Sequence, residues 1–404
     1  MTTETVAPAK SVVVPQTAFA VILAVSFCHL LNDMMQSLFA AIYPILHEKY
    51  HLDFKQIGFL GMTYQVTASV LQPIIGMITD KRPLPYSTAI GMVFTFTGLL
   101  LLSVANQYGL LLMASACVGL GSAIFHPESS RVARLASGGR YGLSQSIFQV
   151  GGNVGTSIGP LAAAFIVLPR GQSSLAWFST AALVGMIILW QVGNWYTRHR
   201  ANAAKQTKAV PVSSLPPQKV ITALIVLALL VFTKYIYTAS LTNYYTFYLI
   251  HKFGVTVRDS QLLLFLFLGA MAVGTIIGGP LGDRFGSKNI IWFSILGILP
   301  FTLMLPHVNL GWTAALTVII GVTLASAFPA IVVMAQELVP TRVGMIAGLF
   351  FGFAFGMGGI AAAVLGTVAD AKGIDFVYMV CSFLPFLGLL TVFLPNMKEL
   401  RKEA

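Results

Sequence analysis

The sequence predicts an all-α polytopic membrane protein: twelve transmembrane helices built as two six-helix halves in a parallel repeat. Three observations carry this prediction. Of the 404 residues, 56% are hydrophobic and only 9% charged, and mean hydropathy is +0.82, whereas a soluble chain carries about 25% charged residues. The apolar residues fall into twelve runs, each long enough for the roughly 20 helical residues that a hydrocarbon core requires. Landmarks also recur at one offset: Pro127 and Pro329, Arg140 and Arg342, and Gly142 and Gly344 are each 202 apart, and Gly76 and Gly279, and Asp80 and Asp283, are each 203 apart.

The net charge of +11 invites a nucleic-acid reading, which the placement of the basic residues excludes. The spans are read at 18–46, 54–79, 86–104, 108–134, 142–168, 172–197, 219–250, 260–282, 289–306, 311–338, 343–369 and 374–395. With a cytoplasmic N-terminus, 17 of the 24 Lys and Arg fall on or near the cytoplasmic side. Six fall opposite (Lys49, Lys55, Arg170, Lys252, Arg258 and Lys372), and Lys234 lies inside a span. That asymmetry is the positive-inside rule. It predicts cytoplasmic tails at 1–17 and 396–404 and halves at 18–197 and 219–395. A cytoplasmic linker at 198–218, rich in Pro and basic residues, separates the halves.

Span 1 is too long and too weakly flanked by basic residues to be a cleavable signal peptide. It carries ionisable groups in its interior, where each costs about 2.5–3.5 kcal/mol even on insertion scales and so calls for a reason. His29 and Asp33 lie one turn apart, and Gln36 and Tyr43 continue the stripe. Asp33 reads as a protonatable carboxylate whose charge can be switched by what occupies the site, against a structural partner for Asn32. His29 reads as substrate-binding, against a satisfied core histidine. Span 2 ends in "GMITDKRP", where Asp80 and Lys81 can cap helix ends and latch the cytoplasmic face. Span 4 runs without a turn into "IFHPESSRVAR". There His126 is a proton-coupling candidate by depth and near-neutral titration. Glu128 and Arg131 are i, i+3 neighbours that serve either a cavity or a gate, and Arg134 can snorkel to the interface.

Span 5 places Gly151, Gly155 and Gly159 every four residues, clearing one helix face for close approach, and Pro160 is expected to bend the helix. Gln149 and Asn153 can face the pathway. On span 7, Lys234 stands opposite Asn32 by the repeat offset, beside Asp33. It reads either as that carboxylate's permanent ion partner or as the anchor for an anionic group, a role suited to a compact ammonium. Tyr237, Tyr244 and Tyr245 follow at helical spacing as binding faces, against core or interfacial positions. Span 8 ends in "GPLGDRFGSK", a second latch of Asp283, Arg284 and Lys288. Span 10 carries Gln336 and Glu337 near the cytoplasmic end, followed by Arg342. Span 11 repeats the glycine stripe at Gly344, Gly348, Gly352 and Gly356. Cys28, Cys117 and Cys381 lie within spans at unpaired spacing and read as small packing residues.

A parallel repeat of this kind is a hallmark of secondary transporters, whose site lies between the halves. "GMITDKRP" and "GPLGDRFGSK" resemble the Gly-x-x-x-Asp-Arg/Lys-x-Gly signature of the major facilitator superfamily, the first copy departing with Pro83 at the second glycine. "GGNVGTSIGP" resembles the fifth-span signature of its proton-coupled antiporters. "SFCHLLNDMMQSLFAAIYP", "FHPESSRVARLASGGR" and "YYTFYL" resemble the fosmidomycin resistance proteins, drug efflux pumps, and the likeness runs along essentially the whole chain. It implies drug:proton antiport in a bacterial inner membrane, and a Glu337 that pairs with the loop latch. The arginine usual in the superfamily's span 4 is replaced here by Ser115, so Asp33, His126 and Glu128 are left to carry the proton.

The expected function is therefore proton-coupled efflux of small anionic or amphipathic compounds by alternating access, a proton taken up outside weakening the site. The alternative is transport of a metabolite, such as an organic anion or sugar phosphate, with incidental drug export. An intramembrane serine hydrolase built on His126 and Ser130 would need an oriented third group and oxyanion donors, yet nothing supplies a nucleophile elbow and no metal pair such as His-Glu-x-x-His appears. No cofactor and no metal is implied. The expected partners are the substrate, protons and lipid, and the expected state is a monomer.

Overall fold

A computed structural model of the chain describes residues 17–52, 54–205 and 215–396. The expected tails and the centre of the expected linker (1–16, 206–214 and 397–404) lie outside the described residues. The described chain is helical, with no strand among the described residues. Span 1 is Phe19–Ala41 followed by Tyr43–Tyr50. Spans 2 to 4 are Phe54–Lys81, Ser87–Val104 and Tyr108–Ala136. Span 5 is Tyr141–Ala162, which runs through Pro160 and then widens into a π-turn at Ala163–Val167. Spans 6 to 8 are Leu175–Lys205, Pro217–Phe253 and Val257–Phe285.

Span 9 is Ser287–Ile295 with Leu299–Met304, span 10 is Leu310–Ala325 with Ala327–Leu338, and span 11 is Val343–Lys372. Span 12 is Ile374–Cys381, continued as a 3₁₀ helix at Leu384–Phe393. The repeated prolines act differently in the two halves. Pro127 sits inside an unbroken helix, whereas span 10 is interrupted at Ser326. Pro329 there cannot donate to the carbonyl of Ala325 four residues earlier, which frees the turn to break.

Among the described residues, eleven helical stretches are long and apolar enough to cross a membrane. The twelfth expected span, Phe54–Lys81, is a 28-residue helix whose apolar character is diluted by Gln65, Ser69, Gln72 and Thr79. Large apolar side chains such as Phe165, Phe247 and Phe265 face outward, as a lipid-facing surface requires. Polar groups, His29, Asp33, His126, Glu128 and Lys234 among them, are buried inside. This inversion is what a hydrocarbon solvent selects.

The most extensive contacts between the halves run from span 2 to span 11 and from span 5 to span 8, two pairings that the repeat relates to each other. Glycines make both approaches possible. A Cβ on Gly76 would lie 2.2 Å from the Gly344 carbonyl oxygen, and one on Gly279 2.3 Å from that of Gly142. The stripe of Gly151 and Gly155 lies instead within the first half, where added Cβ atoms would meet the carbonyls of Ser26 and Leu30 on span 1 at 2.0 and 2.2 Å. Gly159 meets Ser37 on the same helix, while Gly348 and Gly352 meet the backbone of Gln72 and Ser69 across the halves. Gly356 faces open space.

Candidate functional site

At the centre of the bundle, one carboxylate is held between two imidazoles. His29 Nε2 lies 3.2 Å from Asp33 Oδ2, and His126 Nε2 lies 3.3 Å from Oδ1. The first contact follows from helical spacing, since His29 and Asp33 are i, i+4 on span 1. The second comes from span 4, which packs beside it. Each ring is oriented by its other nitrogen: His29 Nδ1 is 2.7 Å from the Phe148 carbonyl oxygen and His126 Nδ1 is 3.0 Å from that of Ser122. Both Nε2 atoms are buried, at contact distance from the carboxylate but off the ideal hydrogen-bond line. Asn32 donates to Asp33 Oδ1 at 3.0 Å. Gly152 of span 5 closes the site, where a Cβ would lie 2.5 Å from His29 Nε2.

Aromatic rings wall the cluster. His29 stacks on Phe148 at 4.1 Å, and His126 meets Phe351 and Phe355 of span 11 at 5.5 and 4.9 Å. The imidazole of His126 therefore abuts the other half. The donor set of two imidazoles and a carboxylate is also of a type that holds a transition metal. Gln36 accepts from the Tyr64 hydroxyl at 2.5 Å. The Tyr43 ring lies against Phe39 at 5.3 Å.

Lys234 is not paired with Asp33. Its ammonium is buried, and among the described residues it has neither a hydrogen bond nor an ion pair. It lies over the rings of Tyr235 at 4.5 Å and Phe328 at 5.5 Å. Phe328 packs edge-on against Phe351 at 5.1 Å, so one aromatic seam joins Lys234 to His126. Two of the tyrosines expected at the site lie elsewhere: Tyr237 and Tyr245 are inside the second half's own apolar core, and the Tyr245 hydroxyl meets Thr317 Oγ1 at 3.1 Å. Tyr244 donates to the Ala362 carbonyl at 2.5 Å. Gln149 donates to Asn153 at 3.4 Å, and Asn153 donates across the halves to Thr275 at 3.2 Å.

Toward the basic end, Arg131 is enclosed. It pairs with Asp80 and, at 3.1 Å, with Glu128, and donates to the carbonyls of Thr79 and Gly76 at 2.9 and 3.3 Å. Thr79 donates to Glu128 at 2.5 Å. Asp80 also accepts from the backbone N–H groups of Gly344 and Met345 at 3.0 and 2.8 Å, a carboxylate on the positive end of span 11. Asp283 does the same for Gly142 and Leu143 of span 5, at 2.8 and 2.9 Å. Both caps cross between the halves, so this end is closed. Ser130 donates to Gln145 and accepts from Gln336, each at 3.1 Å, rather than engaging His126. Lys288 donates to backbone carbonyls of span 12, Arg284 lies over Phe285 at 5.3 Å, Lys81 and Arg342 are exposed, and Glu337 is half-buried.

The Major Facilitator Superfamily model matches residues 25–249 and 227–404. The chain belongs to the major facilitator superfamily. It is 56% identical over 389 residues to the fosmidomycin resistance protein of Escherichia coli (strain K12), covering 96% of each chain. It is 38% identical to the uncharacterised MFS-type transporter YfnC of Bacillus subtilis (strain 168), covering 96% of this chain and 95% of that one. The fold matches the E. coli fucose:proton symporter FucP with TM-score 0.72 at 15% identity, over 95% of this chain and 98% of that one. It matches the human organic anion transporter MFSD10 with TM-score 0.70 at 15% identity, over 93% and 100%. This superfamily member is a multi-pass membrane transporter, not an enzyme.

Sequence reasoning missed the aromatic seam. Phe351 and Phe355 are an i, i+4 pair beside the glycines of span 11, a spacing that could have marked them. Phe148, Phe328 and Tyr235 carry no such signal, because apolar rings are ordinary in any span.

Proposed function

We propose that this transporter is a proton-coupled exporter of small anionic or amphipathic compounds, fosmidomycin among them, working by alternating access in a bacterial inner membrane as a monomer with both termini cytoplasmic. The observation that carries the reading is the buried His29–Asp33–His126 cluster, set against the opposite half and joined by aromatic rings to the unpaired Lys234. The likeness to the E. coli fosmidomycin resistance protein supports the substrate class.

The cluster takes protons and Lys234 takes an anionic group, so the two ligands occupy neighbouring but separate atoms. Glu128 is engaged in the gate around Arg131, which leaves the proton to Asp33 and the two histidines. Rocking of the halves breaks the Asp80 and Asp283 caps and turns the same site to the other side. In export, protons enter from outside as the compound leaves.

The electrostatics also favour a second reading. Protons on the cluster add positive charge beside Lys234 and so strengthen the hold on an anion rather than weakening it. That arrangement suits co-transport of an organic anion with protons. Purified protein in proteoliposomes separates the readings: an acidic interior drives fosmidomycin inward in exchange, whereas an acidic exterior drives it inward in co-transport. Flux indifferent to either gradient would sink both.

A further inference from the structure

Resting on the proton-coupled reading, the geometry points to a cluster that carries two protons, with His29 as much a proton-binding residue as Asp33 and His126. The carbonyl oxygens of Phe148 and Ser122 accept only, and they lie 2.7 and 3.0 Å from His29 Nδ1 and His126 Nδ1. Each Nδ1 therefore bears the hydrogen, and the Ser122 hydroxyl at 3.2 Å is left to donate elsewhere. Turning either ring over would set carbon against the carbonyl and forfeit that bond. With Nδ1 protonated, a neutral imidazole presents a bare lone pair at Nε2.

Both lone pairs face Asp33, and they face different oxygens, Oδ2 at 3.2 Å and Oδ1 at 3.3 Å. An unprotonated nitrogen against an unprotonated carboxylate oxygen is a contact between two acceptors, which a buried site does not tolerate. Two such contacts need two protons. The carboxylate can stay ionised between two imidazoliums, or become an acid beside one imidazolium. The proton count is the same, and so is the net charge of the three groups, +1. One proton fewer leaves one contact repulsive; two fewer leave a bare carboxylate among lone pairs and aromatic rings.

Among the described residues, no other group packed against the cluster puts a proton into either contact. From span 2, the Tyr64 hydroxyl donates to Gln36, and from span 7 the Tyr235 ring lies under Lys234; an ordinary phenol carries no charge at neutral pH. Lys234 lies beyond Tyr235 and adds positive charge. Span 5 presents Phe148 and Gly152, and span 11 presents Phe351 and Phe355. From span 6, the carbonyl of Gly185 accepts from the Cys28 thiol at 3.7 Å. On span 4, Glu128 pairs with Arg131, which also pairs with Asp80.

The test is the thermodynamic limit of accumulation. Full-length protein is reconstituted in proteoliposomes with a gradient of one pH unit, the membrane potential clamped at zero, and labelled fosmidomycin as the probe. Two protons per cycle give a steady concentration ratio of about 100-fold, one proton about tenfold. The wild-type ratio decides the count, about tenfold overturning it while leaving proton coupling intact. His29→Gln and His126→Gln are each expected to transport with the ratio reduced to about tenfold. A His29→Gln ratio equal to wild type removes His29 from the proton site. No accumulation under either gradient direction overturns the coupled-transport reading beneath the inference. One equivalent of zinc retained by the purified protein without added metal would overturn the count as well, since the cation would supply the charge assigned to the protons.

Discussion

Replacing Lys234 by methionine separates a binding role from a structural one, because the two predict opposite outcomes. Lys234 is buried with no anion beside its ammonium among the described residues, and the ammonium rests on the faces of Tyr235 and Phe328. Two desolvated cation–π contacts contribute about 2 kcal/mol or more each, while taking the charge out of water costs several kcal/mol. Methionine keeps the apolar packing and removes both terms. The thermal midpoint of the substrate-free protein is therefore expected to stay level or rise. Binding is expected to fall, since a charge-assisted hydrogen bond to an anion contributes about 1.5–3 kcal/mol, or about 10- to 150-fold in affinity. Titration calorimetry with fosmidomycin on purified Lys234→Met, alongside its melting curve, measures both. Affinity within twofold of wild type would refute the anchor, and a fall in both quantities would make Lys234 a structural residue.

The gate yields three further expectations. Asp80→Asn removes the carboxylate shared by Arg131 and two amides of span 11, and breaking a buried pair costs about 3–5 kcal/mol; hydrogen exchange at Gly344 and Met345 should accelerate, and unchanged protection would detach Asp80 from closure. Gly142→Ala sets a Cβ 2.4 Å from the Gly279 carbonyl, an overpacking worth about 1–3 kcal/mol, so fosmidomycin resistance in expressing cells should drop without loss of protein from the membrane. Ser130→Ala removes links to Gln145 and Gln336 of about 1 kcal/mol each; transport should persist, whereas loss of all transport would give that hydroxyl a chemical role.

The charged residues were readable in advance, and their partners were not. Helical spacing placed His29 with Asp33 and Glu128 with Arg131, because i, i+3 and i, i+4 neighbours depend on one helix alone. The repeat offset put Lys234 at the depth of Asp33, yet depth is not contact. Asp33 met His126 from span 4, and Arg131 met Asp80 from the last turn of span 2. Likewise the regular spacing of Tyr237 and Tyr245 fits a cavity wall and a core equally well, and their burial among Leu241, Phe267 and Leu316 decided for the core.

The sequence by itself determined the membrane class, the helical spans, the repeat and the short list of ionisable groups that lie within the spans. Each of these depends on composition, or on spacing along a single helix, which water and lipid read directly. Only the tertiary structure decided that two imidazoles share one carboxylate, that Lys234 stands free of it, and that the glycines of spans 2, 5, 8 and 11 carry the two halves into contact. Those outcomes depend on how each helix is rotated and tilted against its neighbours. Packing between helices sets that rotation, and spacing along one chain does not record it.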